Sequence, residues 1–242
     1  QNNTIYALAL NQDGTLLASA AADQAVRLWD LRSRLCLQQF EGYDHGIDAL
    51  TFSPDGRILA TGGGDGLIHL WDIQATTEQG RLLATLQGHT HAIGALAFSP
   101  EGQWLASGGH DGTLRLWDLQ QDGVCVQAFQ GHNSIVRVLL FQPPSPSAPG
   151  TLLASASADQ TVRLWTLSGK LCYTLPAHKH EITGLSFSPD GRQLASSGAD
   201  HCIYLWNVES GQAINSIRAY HAGPNSVSFS RDGKTVASGN AD

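Results

Sequence analysis

Methionine is absent from all 242 residues, which predicts that the chain is a fragment or a processed part of something longer. No uninterrupted apolar run approaches the ~20 residues that a helical span requires, so a soluble globular class without a membrane span is expected. Charge is scarce, at 14% of residues, and it leans to acid, with 14 Lys plus Arg against 21 Asp plus Glu and a formal net charge of -7. The long-range field of such a chain repels polyphosphate, and nucleic acid is not an expected partner. Cysteine is sparse too. Cys36, Cys125, Cys172 and Cys202 lack the short paired spacing of a zinc or thioredoxin-type site. Three share a context, Leu35-Cys36-Leu37, Val124-Cys125-Val126 and Leu171-Cys172-Tyr173, which predicts the same strand position in different repeats, beyond disulfide reach. Unpaired thiols suit a reducing compartment, hence an expected cytoplasmic location. Glycine, by contrast, is plentiful at 26 copies, and with so few charges it favours sheet and turns over helix.

Self-comparison reveals a period. Trp29, Trp71, Trp117, Trp165 and Trp206 each end a run like Val/Leu-Arg-Leu-Trp, at spacings of 42, 46, 48 and 41 residues, and Trp104 stands outside the series. Six residues before each of these tryptophans is an Asp, namely Asp23, Asp65, Asp111, Asp159 and Asp200, and Asp242 continues the series. Four residues before each Asp is a hydroxyl, at Ser19, Thr61, Ser107, Ser155, Ser196 and Ser238. Within one period, short alternating runs at 93–98, 104–108, 113–117 and 124–129 are separated by Ser99-Pro100-Glu101-Gly102, by His110-Asp111-Gly112 and by further turn residues. Four antiparallel strands per ~40–45 residues bury little alone and must pack face to face on copies of themselves.

Gly88-His89, Phe98-Ser99-Pro100, Leu105-Ala106-Ser107-Gly108, Asp111-Gly112 and Leu116-Trp117-Asp118 together resemble the signature of the WD-repeat β-propeller family, and the resemblance covers the whole chain. It implies an all-β fold, a β-propeller of four-stranded antiparallel blades forming a single segment over 1–242. The blades are expected at about 1–41, 42–87, 88–130, 131–176 and 177–218, with a partial one at 219–242. About five and a half blades are thus present, part of a larger ring with the family's common seven blades. Ring closure is expected to need missing sequence or another chain, with continuation past Asp242 by a segment like 160–165, and the open edge predicts self-association.

The recurrent His, Ser and Asp invite a nucleophilic triad, but a catalytic set is built once per site. Here His89, Ser107, Asp111 and Trp117 recur as His132, Ser155, Asp159 and Trp165, and again as His178, Ser196, Asp200 and Trp206. The resemblance implies that each set is a structural hydrogen-bonded chain, consistent with staples repeated through an array. Tyr43 stands in the His position of the second blade with His45 close by, Gln1 stands there in the first, and Tyr220 beside His221 in the sixth. His89-Thr90-His91 and His178-Lys179-His180 place imidazoles two apart but lack a third and fourth ligand, so no metal and no cofactor is expected. Gly62-Gly63-Gly64 and Gly108-Gly109 close strands rather than open helices, which removes the context of a phosphate cradle.

Length varies only at 74–81, 120–123 and 142–150, loops that strand alternation puts at one end of each sheet, opposite the His and Asp turns. Pro143-Pro144-Ser145-Pro146-Ser147-Ala148-Pro149-Gly150 cannot make ladder bonds and is expected to project, as a solvated insertion or a docking feature. At the opposite end, the resemblance implies partner contacts at the start of each first strand, at Tyr6, Asp48, Gly94, Arg137, Thr183 and Asn225, and just before each turn Asp, at Ala22, Gly64, His110, Ala158, Ala199 and Ala241. Tyr6, Asp48, His110, Arg137, Glu181, Thr183 and Asn225 are the candidate partner-binding residues, the small residues leaving a shallow floor. The expected function is a noncatalytic scaffold that binds a protein or peptide at this channel face. The alternative is a propeller-based hydrolase using Asp48, Glu181 and His110 in the channel.

Overall fold

Serine, proline, aspartate and glycine in sequence reverse the chain within a few residues, and this turn recurs. In Ser53-Pro54-Asp55-Gly56 the Ser53 hydroxyl donates to Asp55 Oδ1 (2.6 Å) and accepts from the Ile58 amide (2.9 Å), while Gly56 takes φ 66°. Ser188 and Asp190 repeat the bond at 2.6 Å with Gly191 at φ 68°, as do Ser230 and Asp232 with Gly233. The hydroxyl and carboxylate satisfy amides that a two-stranded ladder leaves over, and glycine accepts the left-handed backbone.

In the computed structural model, residues 4–41, 43, 45–74, 80–145, 151–176, 178–218 and 224–240 are described, and among them every element is a strand or turn. Expectations for Gln1, 75–79, 146–150, Tyr220, His221, Ala241 and Asp242 lie outside the described residues. Among the described residues no helix is long and apolar enough to cross a membrane. The chain divides into two compact units, Gln1–Val126 and Gln127–Asp242.

In the first unit, β1 (Ile5–Leu10), β2 (Leu16–Ala21), β3 (Val26–Asp30) and β4 (Leu35–Phe40) form one antiparallel sheet in chain order. β5 (Ile47–Phe52), β6 (Ile58–Gly63), β7 (Ile68–Asp72) and β8 (Arg81–Leu86) form the second. β9 (Ile93–Phe98), β10 (Trp104–Gly109), β11 (Leu114–Asp118) and β12 (Val124–Phe129) form the third, whose last strand runs across the unit boundary. The second unit holds β13 (Val136–Phe141), β14 (Leu152–Ser157), β15 (Val162–Thr166) and β16 (Leu171–Leu175) as the fourth sheet. β17 (Ile182–Phe187), β18 (Gln193–Gly198), β19 (Cys202–Asn207) and β20 (Ala213–Arg218) form the fifth, and β21 (Pro224–Phe229) pairs with β22 (Val236–Asn240). The all-β class and the four-stranded antiparallel blades are those the sequence predicts. β11 starts one residue late, since Thr113 gives its amide to Asp111 Oδ1 (2.9 Å) instead of the ladder.

Packing follows one rule in both units. In the second to fifth sheets the second strand is covered on both faces, so it is built from Leu and then Ala: Leu59, Ala60, Leu105, Ala106, Leu153, Ala154, Leu194 and Ala195 are all buried completely. Bulk is excluded there. A Cβ on Gly62 would lie 2.6 Å from Ile93 Cγ2 of the next sheet. The tryptophan of each sheet packs on the residue that ends the outer strand of the sheet before: Phe40 and Trp71 with ring centroids 5.1 Å apart, Phe129 and Trp165 at 5.7 Å, and the pairs Leu86 with Trp117 and Leu175 with Trp206 inside shared clusters. β1 is the contrast. Leu8, opposite Ser19, is 58% exposed, whereas Leu139 and Leu185 at the same register opposite Ser155 and Ser196 are at 3% and 6%.

The three similar cysteines do not share one register, which corrects the sequence-based expectation. Cys36 pairs with Trp29, leaving Leu37 as the bulged residue, but Leu171 pairs with Trp165 and Cys172 itself is bulged. The cause is a tighter turn: Thr166 N bonds Lys170 O (2.9 Å) around Gly169 at φ 91°, where the first sheet instead pairs Asp30 with Leu35.

After each turn Asp the next residue is left-handed: Gln24 at φ 61°, Gly66 at 74°, Gly112 at 75°, Gln160 at 72° and His201 at 64°. Three of the five carry a side chain into a region that costs roughly 1–2 kcal/mol outside glycine. Gln160→Gly is therefore expected to stabilise the protein by about 0.5–1 kcal/mol after the entropic cost of glycine. Urea unfolding of the two proteins checks this, and a lower midpoint for the glycine variant would show that Gln160 makes a compensating contact.

Candidate functional site

Two sets of polar side chains meet at the end of each sheet that carries the His and Asp turn, and the structure uses them differently. In the third sheet Trp117 Nε1 donates to Ser107 Oγ (2.8 Å), Ser107 Oγ lies 2.8 Å from His89 Nε2, and His89 Nδ1 lies 3.0 Å from Asp111 Oδ2. The fourth sheet repeats these links through Trp165, Ser155, His132 and Asp159 at 2.8, 2.7 and 2.9 Å. The fifth does so through Trp206, Ser196, His178 and Asp200 at 2.9, 2.8 and 3.0 Å.

Only one proton arrangement satisfies the chain: indole N–H to hydroxyl, hydroxyl to imidazole Nε2, and imidazole Nδ1–H to carboxylate. The imidazole is then neutral. Burial pushes His89, His132 and His178 below the usual imidazole value, against the pull of the carboxylates. Burial also pushes Asp111 and Asp159 up, but the hydroxyls of Thr113 and Thr161, together with nearby amides and the imidazoles, outweigh it and hold both carboxyls at about 2. A Ser hydroxyl that accepts from an indole and donates to a neutral, buried imidazole is spent on structure.

The second sheet departs from this pattern. Tyr43 Oη lies 2.9 Å from Thr61 Oγ1, which also accepts from Trp71 Nε1 (3.2 Å). Tyrosine thus keeps the indole and hydroxyl links, and burial raises its own pKa. Its hydroxyl does not extend to the turn, so Asp65 accepts from the Leu67 amide (2.9 Å) and from no imidazole among the described residues. In the first sheet Trp29 donates to Ser19 (2.9 Å), and Asp23 pairs with Arg27 (2.8 Å).

The second set rests on a backbone feature that sequence reading missed. Each first strand has a β-bulge near its start, where the register skips a residue: Tyr6 between Ile5 and Ala7, Asp48 between Ile47 and Ala49, and Gly94 between Ile93 and Ala95. The second unit has Arg137 between Val136 and Val138, Thr183 between Ile182 and Gly184, and Asn225 between Pro224 and Ser226. A bulge takes a residue out of the ladder and re-aims its side chain, and bulges concentrate next to binding sites. No periodicity of side chains could reveal it, since the hydrophobic alternation on either side survives.

Within the first unit, Tyr6 and Asp48 are exposed, and Asp48 makes no hydrogen bond or ion pair among the described residues. Partial burial raises the Asp48 carboxyl above its ordinary value, with nearby His110 opposing the shift. Gly94 is the one bulged residue without a side chain, and its sheet is the one with bulk before the turn Asp, His110, where Ala22 and Gly64 stand in the others of this unit. In the second unit Arg137 and Glu181 form an ion pair at 2.9 Å with 45% and 43% of their side chains exposed. Thr183 donates to the carbonyl of Pro224, Asn225 is exposed, and Ala158 and Ala199 stand before the turn Asp residues. Asp48 and His110 belong to the first unit and Glu181 to the second. Among the described residues no cluster of three or more His, Cys, Asp or Glu could hold a metal ion. Cys36, Cys125, Cys172 and Cys202 form no disulfide among the described residues.

The family profile described as WD40, "WD domain, G-beta repeat", matches residues 1–30, 34–72, 80–118, 123–166 and 169–207. The chain is similar to Transducin beta-like protein 3 of Bos taurus, 33% identical over 95 residues, which are 39% of this chain and 12% of that protein. It is also similar to WD repeat-containing protein 26 homolog of Arabidopsis thaliana, 32% identical over 120 residues, 48% of this chain and 20% of that one. WD repeat and SOCS box-containing protein 1 of Mus musculus is 39% identical over 80 residues, 32% of this chain and 18% of that protein. The matched stretches thus span a fifth or less of the length of these relatives.

Two outcomes follow for stability. Asp159→Ala removes the acceptor of the His132 Nδ1–H and of the amides of Thr161 and Asn133, and is expected to cost about 1–3 kcal/mol. Asp65→Ala loses one bond at an exposed turn and Asp48→Ala loses none, so both should stay within about 0.5 kcal/mol of the parent. Denaturant melts that ranked Asp48 or Asp65 above Asp159 would contradict the assignment. The second outcome concerns acid. Between the lowered folded values and 6.5, the unfolded chain binds protons at His89, His132 and His178 that the folded chain refuses, so stability falls as pH drops below 6.5. Asp111 and Asp159 add a second loss as pH falls from 3.8 toward about 2, since their folded values lie below the unfolded one. A melting temperature constant from neutral pH down to 5 would rule out neutral buried imidazoles.

Proposed function

The chain belongs to the WD-repeat family, and from that premise we propose that it is a noncatalytic scaffold recognising a protein or peptide through the channel face, the end of the sheets that bears the His and Asp turns. Membership supports a protein-interaction scaffold in general, while the site rests on the geometry. One observation carries it: every first strand spends a bulge on presenting a single residue at that end, and Asp48, Arg137 and Tyr6 so presented are exposed and not consumed by the hydrogen-bonded chains beside them. Such groups, a carboxylate, a guanidinium and a phenol above small residues, are the kind that order an interface without adding to the fold. The hydroxyls and imidazoles of the recurrent His, Ser and Asp sets are engaged in structure, which favours recognition over turnover by a nucleophilic triad. Four cysteines outside any disulfide among the described residues support a reducing, cytoplasmic location in this reading.

The test compares proteins captured from lysate by the parent, by Asp48→Lys, by Arg137→Glu and by the double variant, with melting temperatures measured alongside. Loss of the same captured protein in the face variants, by about tenfold or more and at unchanged melting temperature, supports the reading. Hydrolytic turnover abolished by Asp48→Ala, or capture indifferent to both substitutions, overturns it.

A further inference from the structure

The fourth sheet departs from the repeat at two places on the end opposite the His and Asp turns, and both departures line one groove of about 1060 Å³ between the fourth and fifth sheets. The first is Gln142, which stands where Ser53, Ser99, Ser188 and Ser230 stand in other repeats. Serine there closes its own turn. Gln142 reaches further: its Nε2 donates to the carbonyl of Gly191 in the fifth sheet (2.8 Å) and its Oε1 accepts from the Leu152 amide (3.2 Å). The second is the tight turn at 166–170, which shifts β16 so that Cys172 occupies the bulge that Leu37, Leu83 and Ile214 occupy elsewhere. Tyr173 then donates its hydroxyl to the carbonyl of Glu209 (2.6 Å), with its ring against Gly211, where any Cβ would come within 2.4 Å.

The two walls are thereby pinned to each other at both Gln142 and Tyr173, which makes the groove preorganised. Its lining combines an apolar part, Leu167, Leu171 and Val208, with cations from both walls, Lys170 on the fourth sheet and Arg192 on the fifth. Lys170 makes no ion pair among the described residues, in a chain whose formal net charge is -7, and Glu209 is the sole carboxylate of the lining. At about 1060 Å³ the groove lies at the upper end of the roughly 300–1,000 Å³ of small-molecule sites, and its lining spreads along both walls from Gln142 to Glu209, which suits an extended chain as occupant. The bulge at Cys172 interrupts the edge of β16, so the occupant is held by side chains rather than added as a fifth strand.

We propose that this groove binds an extended peptide segment of a protein partner that carries acidic side chains for Lys170 and Arg192 and apolar ones for Leu167, Leu171 and Val208. It is a second site, independent of the channel face.

Fluorescein-labelled peptides alternating Glu with Leu, and the same peptides with Lys for Glu, serve as probes for titration into the 242-residue chain. Alkylation of Cys172 by iodoacetamide, read by mass spectrometry against exposed Cys36 in the same molecule, reports where they bind. The expected result is binding of the acidic peptide alone, several-fold slower alkylation of Cys172 but not of Cys36, and at least about tenfold weaker binding by Lys170→Glu and Arg192→Glu at unchanged melting temperature. Absence of binding, equal binding of the basic peptide, unprotected Cys172, or loss of binding in Asp48→Lys would each overturn the proposal. Asp48→Lys and Arg137→Glu should leave the groove untouched, so failure here leaves the channel-face reading standing.

Discussion

A carboxylate that must remain charged while mostly covered by protein governs this structure. In the third sheet Asp111 keeps 9% of its side chain exposed beside an imidazole with none. Such a charge is tolerable only when every acceptor position is filled, and the Thr113 hydroxyl, two amides and the His89 Nδ1–H fill them. That requirement propagates. The imidazole must be neutral to donate from one nitrogen and accept at the other, so a hydroxyl must stand below it, and the hydroxyl must in turn receive the indole. Loop, second strand and third strand are thus held together by one proton chain.

The indole links that chain to the packing between sheets. Its N–H is spent within its own sheet, and its ring rests on the end of the outer strand before it, as Phe40 does on Trp71. A residue that is polar at one edge and apolar over its faces can serve both, which leucine cannot. Between neighbouring sheets the second strands must stay thin, and Ala60, Ala106, Ala154 and Ala195 mark that limit. The second sheet shows which links are separable. With Tyr43 in place of histidine the hydroxyl and indole contacts survive, and only the carboxylate is released to the turn.

Function is best sought where a repeat breaks its own rule. Scaffold positions recur because each sheet faces the same physical demands. Bulged residues obey a common backbone geometry but differ in chemistry from sheet to sheet, from Tyr6 to Asp48 to Arg137. The fourth sheet departs twice more, at Gln142 and Cys172, and both side chains face one groove. These departures are not errors of a degenerate copy, since the Gln142 amide bonds twice and is buried.

The period, the all-β class and the family were legible in the residues alone, because the hydroxyl, Asp and Trp recur at fixed local spacing and alternation has a period of two. The pairing of His with Ser and Asp followed from that recurrence together with the family resemblance. What the chain did not disclose was register. A bulge leaves the pattern of apolar residues intact, so nothing local marks Tyr6 or Arg137 as the residue pushed out of the ladder. The one-residue shift of Cys172 depended on how tightly Thr166 and Lys170 close their turn, although the surrounding letters match those of Cys36. Likewise Tyr43 and Thr61, 18 residues apart, and Gln142 and Gly191, 49 apart, meet only because packing brings their strands together. Local spacing determines which strands form; contact across sheets decides which side chains are left over to bind something else.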